Sequence, residues 1–367
     1  MNVTSQIRRL LSLEFLGNFK LAGSAWVLLL VGRGFSLAQV GVAEAVFHVV
    51  SLCCEIPSGM AADVLGRRKT LLCSYLSLGV SALLMIFSRS MLGVCAALAA
   101  SALGYNLASG TREAITYETL LDAGAQDRYL SVASWQNILW RASAALALLC
   151  AGWVRGLGHV KGYGLDLVMI AACLLVARGL VEPAASEATG AAGLRDCLDK
   201  LVAVARGAAA FLRARPGVCV MIFYNALVGA VATLVRFFLQ DGLDRAGASA
   251  ALLGPMLLLI ELGGVAGSRL ALALDRLPYK AVCALCGLGQ AGALALYASG
   301  DLLLMTAGGV LAVLCDDALQ MLTDARLNDA VPSSERATLI SVSSMCFSLV
   351  MIVLSPLAGL GAGKFLA

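Results

Sequence analysis

Inside the long apolar stretches of this chain stand a few residues able to carry charge or move a proton. Glu44 and His48 lie one helical turn apart within the run 37–61, a spacing at which a carboxylate and an imidazole share one helix face. Histidine titrates near neutral pH, so the pair either relays a proton or satisfies two buried polar groups structurally. Arg141 falls midway along the apolar run 130–152, and Glu261 midway along 249–272. A charge at the bilayer centre costs about 2.5–3.5 kcal/mol, so each must face a partner or a water-filled cavity. Asn18 and Lys20, Tyr105 and Asn106, Tyr224 and Asn225, and Asp316, Asp317 and Gln320 add polar groups to other apolar runs. Each is either a contact for a solute or a hydrogen-bonding link between helices. Trp135 and Trp140 are equally suited to packing and to stacking on a ligand.

The stretches that hold these residues have to be membrane helices. Of 367 residues, 60% are hydrophobic and 14% charged, with a mean hydropathy of +0.87, against about 25% charged residues in soluble domains. About eleven runs approach the roughly 20 residues that cross about 30 Å of hydrocarbon. They lie near 10–31, 37–61, 69–88, 91–110, 130–152, 164–181, 217–240, 249–272, 280–299, 301–323 and 337–360. Lipid offers peptide groups no partners, so such runs must be helical, and the alternation of a membrane barrel is absent. Arg8 and Arg9 precede the first run without an obvious cleavage site, which reads as an uncleaved first span. The 12 cysteines are scattered through the apolar runs. Cys53 and Cys54 are adjacent, and Cys283 and Cys286 form a CxxC with no His or further Cys nearby, so neither a metal site nor a disulfide framework is expected.

One long polar connection, 182–215, divides the spans. It holds Glu182, Pro183 and Glu187, then a stretch from Leu194 to Arg215 with Arg195, Lys200, Arg206 and Arg213, which reads as an amphipathic helix on an anionic membrane surface. Basic residues gather on the side of that connection: Arg8, Arg9, Arg67, Arg68, Lys69, Arg112, Arg128, Arg269, Arg276, Lys280, Arg326 and Arg336. The richer side should be cytoplasmic, with the amino terminus. The chain also repeats weakly: Glu55 to Gly59 with Asp63 and Arg67 answers to Glu261 to Gly267 with Asp275 and Arg276. The organisation expected is 1–181 as one six-helix half, 182–215 as linker and 216–367 as a second half with five spans.

Gly59-Met-Ala-Ala-Asp63-Val-Leu-Gly66-Arg67-Arg68-Lys69 joins the second and third spans. Gly59 suits close helix approach, Gly66 a tight turn, Asp63 a helix amino terminus or an arginine, and the basic cluster an anionic leaflet. The stretch resembles the signature loop of the major facilitator superfamily. Glu55 to Gly59, Gly110 to Leu120 and Leu327 to Thr338 resemble a bacterial branch of drug or solute efflux proteins, so the likeness runs along essentially the whole chain.

The resemblance implies an all-α membrane protein of two pseudo-repeated halves in the bacterial inner membrane. It implies a secondary transporter working by alternating access as a monomer, without a cofactor or nucleic acid. The partners implied are a small-molecule substrate, a coupling proton or Na+, and the lipid bilayer. Spans one, four, seven and ten line the cavity in that family, which makes Asn18, Lys20, Tyr105, Asn106, Tyr224, Asn225, Asp316 and Gln320 cavity candidates. It also brings spans five and eight together, so Arg141 and Glu261 are expected to pair at the midplane. Gly59, Asp63, Gly66, Arg67, Arg68, Arg112 and Glu113 are expected at a cytoplasmic gate, with Glu118 contributing, or else as a solvated ion-pair patch. Glu44 and His48 are the proton-coupling candidates.

Three departures stand out. Only Leu357 to Ala367 follow Pro356, too few residues for a twelfth helix; an arginine common in the fourth span of proton antiporters is missing; and the fifth span lacks the glycine–proline pattern associated with export. Efflux of a small amphipathic compound is the first reading, uptake of a nutrient the second, and an inactive truncated relic the third. No Walker loop, nucleophile elbow, metalloprotease motif or catalytic carboxylate pair argues for an enzyme. Few fixed midplane charges point to a loosely specific, largely apolar ligand.

Overall fold

The computed structural model describes residues 2–184, 199, 202–203, 206–207, 210–211, 213–331 and 336–365. Glu187, Arg195 and Lys200 of the expected surface helix, and the stretch 332–335, lie outside the described residues. Those described contain helices and turns and no strand.

The expected first span is broken into α1 (Val3–Asn18), α2 (Leu21–Ser24) and α3 (Trp26–Val31). Asn2 caps the start of α1 by accepting a hydrogen bond from the Ser5 amide at 3.1 Å. The helix stops where Lys20 turns extended. The amides freed there are taken up by Asp166, whose carboxylate accepts from Ala22 at 3.3 Å and from Gly23 at 2.9 Å.

Next come α4 (Leu37–Leu65) and α5 (Arg67–Phe87), parted only by Gly66 at φ +87°. α6 (Met91–Ala108) and α7 (Thr111–Asp122) are parted by Ser109 and Gly110. After a short turn follow α8 (Tyr129–Leu149) and α9 (Ala151–Arg178). Hydropathy leaves a loop near 153–163, with His159 in it; the structure instead carries the helix through with one break at Gly158, φ +76°. The remaining helices are α10 (Pro216–Arg245), α11 (Ala250–Leu274), α12 (Tyr279–Tyr297), α13 (Leu302–Ala330) and α14 (Arg336–Phe365).

Among the described residues, nine helices are long and apolar enough to cross a membrane. Two of the expected spans fall outside that set: the first, broken into pieces, and α8, which interrupts its apolar run with Gln136, Asn137 and Arg141. Large apolar side chains are exposed on the helices, among them Leu92 at 81% and Leu130 at 80%. Such surfaces suit hydrocarbon rather than water, and the chain is a multi-pass membrane protein.

The chain packs as two compact units, Met1–Trp26 with Val49–Leu201, and Val27–His48 with Val202–Ala367. In the first unit α5 packs on α6 and α9, and α1 on α8 and α9. Ser74 and Ser77 donate to the Gly104 and Ala100 carbonyls at 2.6 and 2.7 Å, tying α5 to α6. The second unit is built around α13, against which α10, α11 and α12 pack. Gly263 and Gly267, four residues apart on α11, lie directly on the α13 backbone at Val310 and Leu314. Residues 27–48, in the first half by sequence, group with this second unit. Gly41 of α4 abuts the backbone of Ser355 on α14, and Gly359 abuts that of Leu37. Two helices touching backbone to backbone make van der Waals contact that no larger residue permits.

Candidate functional site

A pocket of about 650 Å³ opens within the second unit. Three helix faces build it. On α10, Asn225, Gly229, Thr233 and Arg236 recur at helical spacing, and on α13 Asp316, Gln320, Asp324 and Asn328 recur every four residues. Asp317 adds a third carboxylate, and Ser343, Ser344 and Phe347 come from α14. Gly229 lies under the centre of the site. A Cβ there would stand 3.2 Å from Asp316 Oδ1 and 3.5 Å from the Phe347 ring, so carboxylate and aromatic ring converge on one point. The Asn225 side-chain oxygen is shielded from solvent and has no hydrogen-bond partner.

Arg236 is the cation of this pocket, and the sequence reading assigns it no role. Its Nη1 donates to both oxygens of Glu261 on α11, at 3.3 and 3.2 Å, and its Nη2 donates to Thr233 Oγ1 at 3.3 Å. Within its own unit Glu261 thus pairs with Arg236, where the sequence leads us to expect Arg141. Glu261 is taken by Arg236, while Arg141 donates through Nε to Asn137 Oδ1 at 3.2 Å and lies over the Trp140 ring. The expectation of few fixed charges is corrected as well, since three carboxylates and a guanidinium line the pocket.

A second polar cluster is buried in the first unit. Arg112 donates through Nη1 to Glu14 Oε2 at 3.1 Å, and Glu14 is 6% exposed. Asn18 folds back to donate to the Glu14 carbonyl at 2.8 Å. Lys20, at the break between α1 and α2, interacts electrostatically with Asp166 and Arg112. Tyr75 places a buried, unpartnered hydroxyl nearby, with its ring against Gly17. Arg112, grouped by sequence with the gate, is thus an inward partner of α1; Glu113, its neighbour, is exposed. Glu14 and Asp166 were missed, although each is an acid in or beside an apolar run, the one signal that marks them.

At the junction of α4 and α5 the signature loop forms a compact ion cluster. Arg67 donates to Asp63 Oδ1 at 3.0 Å and to Glu118 of α7 through Nε and Nη2, the latter at 3.0 Å. Glu182, beyond α9, accepts from the Arg67 and Arg68 amides and so caps the start of α5, a role unforeseen for it. Arg68 donates to the Arg178 carbonyl at 2.7 Å. Gly66 supplies the positive φ, and Glu182 stands where its Cβ would point. Gly59 is a correction: open space surrounds it, so it makes no close helix approach, which falls instead at Gly41 and Gly104.

Other candidates are spread more widely. Asn106 gives both ends of its amide to Ser51 of α4, at 2.9 and 3.1 Å, which links two helices. Tyr105 is exposed, as are Trp135 and Trp140. Tyr224 points away from the pocket and donates to the Cys283 carbonyl at 2.7 Å. Glu44 and His48 meet at 3.3 Å, both buried, with His48 Nδ1 3.4 Å from Ser348 Oγ and its ring edge-on to Phe47 and Phe347. Among the described residues no three metal-ligating side chains gather.

This arrangement of helices is the fold of major-facilitator transporters. The nucleoside transporter NupG superposes with a TM-score of 0.74 at 16% identity, covering 98% of this chain and 90% of the other. A peptide transporter, POT, gives 0.70 at 15% identity over 98% and 93%. A bacterial homolog of the human lysosomal transporter Spinster, inward-facing and occupied, gives 0.69 at 16% over 99% and 81%. No protein-family model matches the sequence, and no curated protein matches it. At these identities the likeness establishes the fold.

Proposed function

We propose that this chain is a secondary active transporter that exports a small amphipathic solute across the bacterial inner membrane by alternating access. The observation that carries the reading is the pocket of α10, α13 and α14. Its volume of about 650 Å³ lies within the roughly 300–1,000 Å³ of small-molecule sites. It joins a polar wall to an apolar one that includes Ile222, Leu339 and Phe347. Neighbours in fold that carry nucleosides and peptides support transport as the activity. The likeness of the stretches at 55–59, 110–120 and 327–338 to efflux proteins supports the outward direction, and the asymmetry of basic residues supports a cytoplasmic Arg67 end.

The direct test is flux. Purified protein in liposomes is offered labelled nucleosides, sugars, dipeptides and amines, with imposed proton or sodium gradients. Movement of at least one class above protein-free liposomes, driven by an imposed ion gradient, is expected. Folded protein that moves none of them overturns the reading.

In this mechanism the Asp63–Arg67–Glu118 cluster steadies one end of the cycle. Asp63→Asn removes one half-exposed arm of it and should lower turnover by roughly two- to fivefold with little change in affinity. Unchanged turnover at equal protein content counts against that role. The Glu44–His48 pair is the site for a coupling proton. Glu44 is the charged group against the imidazole, and Ser348, Phe47 and Phe347 surround the rest of the ring. His48→Gln should flatten the profile of transport rate against an imposed proton gradient. A profile identical to the parent's would remove the pair from coupling.

A further inference from the structure

We infer that the pocket of the second unit takes an amphipathic solute bearing a positive charge, an aryl or alkyl amine, with Asp316 as its counter-charge. This rests on the transport reading only in using the same pocket, and it names the class of substrate.

The charge balance leads there. Asp316, Asp317 and Asp324 line the pocket, against Arg236 as the one cation among the described lining residues. That guanidinium is already committed. It gives Nη1 to both Glu261 oxygens and Nη2 to Thr233, and Nε, the one nitrogen without a hydrogen bond, is shielded from solvent. Arg236 also acts on Asp316 through space, without a hydrogen bond between them, yet the same charge must balance Glu261. Several carboxylates sharing one cavity repel one another and any anion, and they draw a cation.

Geometry places the cation. Asp316 stands near the middle of α13, and one carboxylate oxygen overhangs Gly229, where the backbone leaves room. The Phe347 ring reaches the same point. A carboxylate at that spot favours an ammonium group, and the ring atoms beside it add an apolar surface for the attached hydrocarbon. The unpartnered Asn225 oxygen, another acceptor, lines the same pocket. Ile222, Leu339 and Ile340 then offer an apolar seat for the hydrocarbon part.

The experiment is calorimetric titration of the whole chain in lipid nanodiscs, corrected with empty discs. The probes are 2-phenylethylammonium, the neutral 2-phenylethanol and the anionic 3-phenylpropanoate, similar in shape and different in charge. The ammonium should bind at least roughly tenfold more tightly than the alcohol, with the carboxylate weakest. Asp316→Asn, nearly isosteric, should abolish that preference, while Asp275→Asn on the exposed end of α11 should keep it. Binding without charge preference, a preference for the carboxylate, no binding of the ammonium, or a preference unchanged by Asp316→Asn each overturns the inference. Flux separates it from the transport reading. Selective ammonium binding without flux upholds the site and fails transport, whereas flux of neutral or anionic solutes alone upholds transport and fails the site.

Discussion

Arg112→Leu should destabilise the protein by about 3–5 kcal/mol, because it strands Glu14 as a buried charge without its partner. Glu14 is 6% exposed and its ion pair is 3.1 Å long. Asn18 bonds mainly the Glu14 carbonyl, and Lys20 lies beside Asp166 at Gly23, so neither replaces the guanidinium. The double change Glu14→Leu with Arg112→Leu should recover most of the loss, since two apolar side chains fill the space without an orphaned charge. Equilibrium unfolding of the single and double variants in bilayer discs measures this. A single-variant loss under about 1 kcal/mol would mean that Glu14 sheds its charge or finds water, and that the pair is not a fixed part of the unit.

Gly41→Leu should cost about 3 kcal/mol or prevent recovery of folded protein, because its Cβ would enter the backbone of Ser355 and Pro356. Backbone cannot rotate aside as a flexible side chain can, so α4 and α14 would have to separate. Gly59→Leu is the natural contrast. Nothing lies within 4 Å of the position its Cβ would take, and the change should fall within about 0.5 kcal/mol of the parent. Thermal melting of both variants decides the matter. Equal melting temperatures would show that the α4–α14 crossing yields easily.

The glycine contrast also shows where sequence reasoning stops. The motif around Gly59, Asp63, Gly66 and Arg67 was visible as a pattern, and Gly66 does take the positive φ that a one-residue joint between two helices demands. Which glycine lets two helices touch was not visible, because contact depends on the partner. Asn225, Asp316 and Gln320 could be picked out as polar groups in apolar runs, and all three line the pocket. Asp324 and Asn328 continue the same stripe at the same spacing, but hydropathy ends that span near 323 while the helix runs on to Ala330.

What the sequence determined by itself is the kind of structure and its solvent. Long apolar runs with few charges leave a chain in lipid no choice but helices, and the asymmetry of basic residues sets an expected orientation. The tertiary structure decided the partners of the charges. Glu261 bonds Arg236, Arg112 bonds Glu14, Asp166 caps a break in the first span, and Glu182 caps α5. A buried charge announces in the sequence that it needs a partner, because leaving it alone is too costly. Which partner it finds is set by distances of about 3 Å across packed helices, and residues far apart along the chain acquire such distances only when the helices dock.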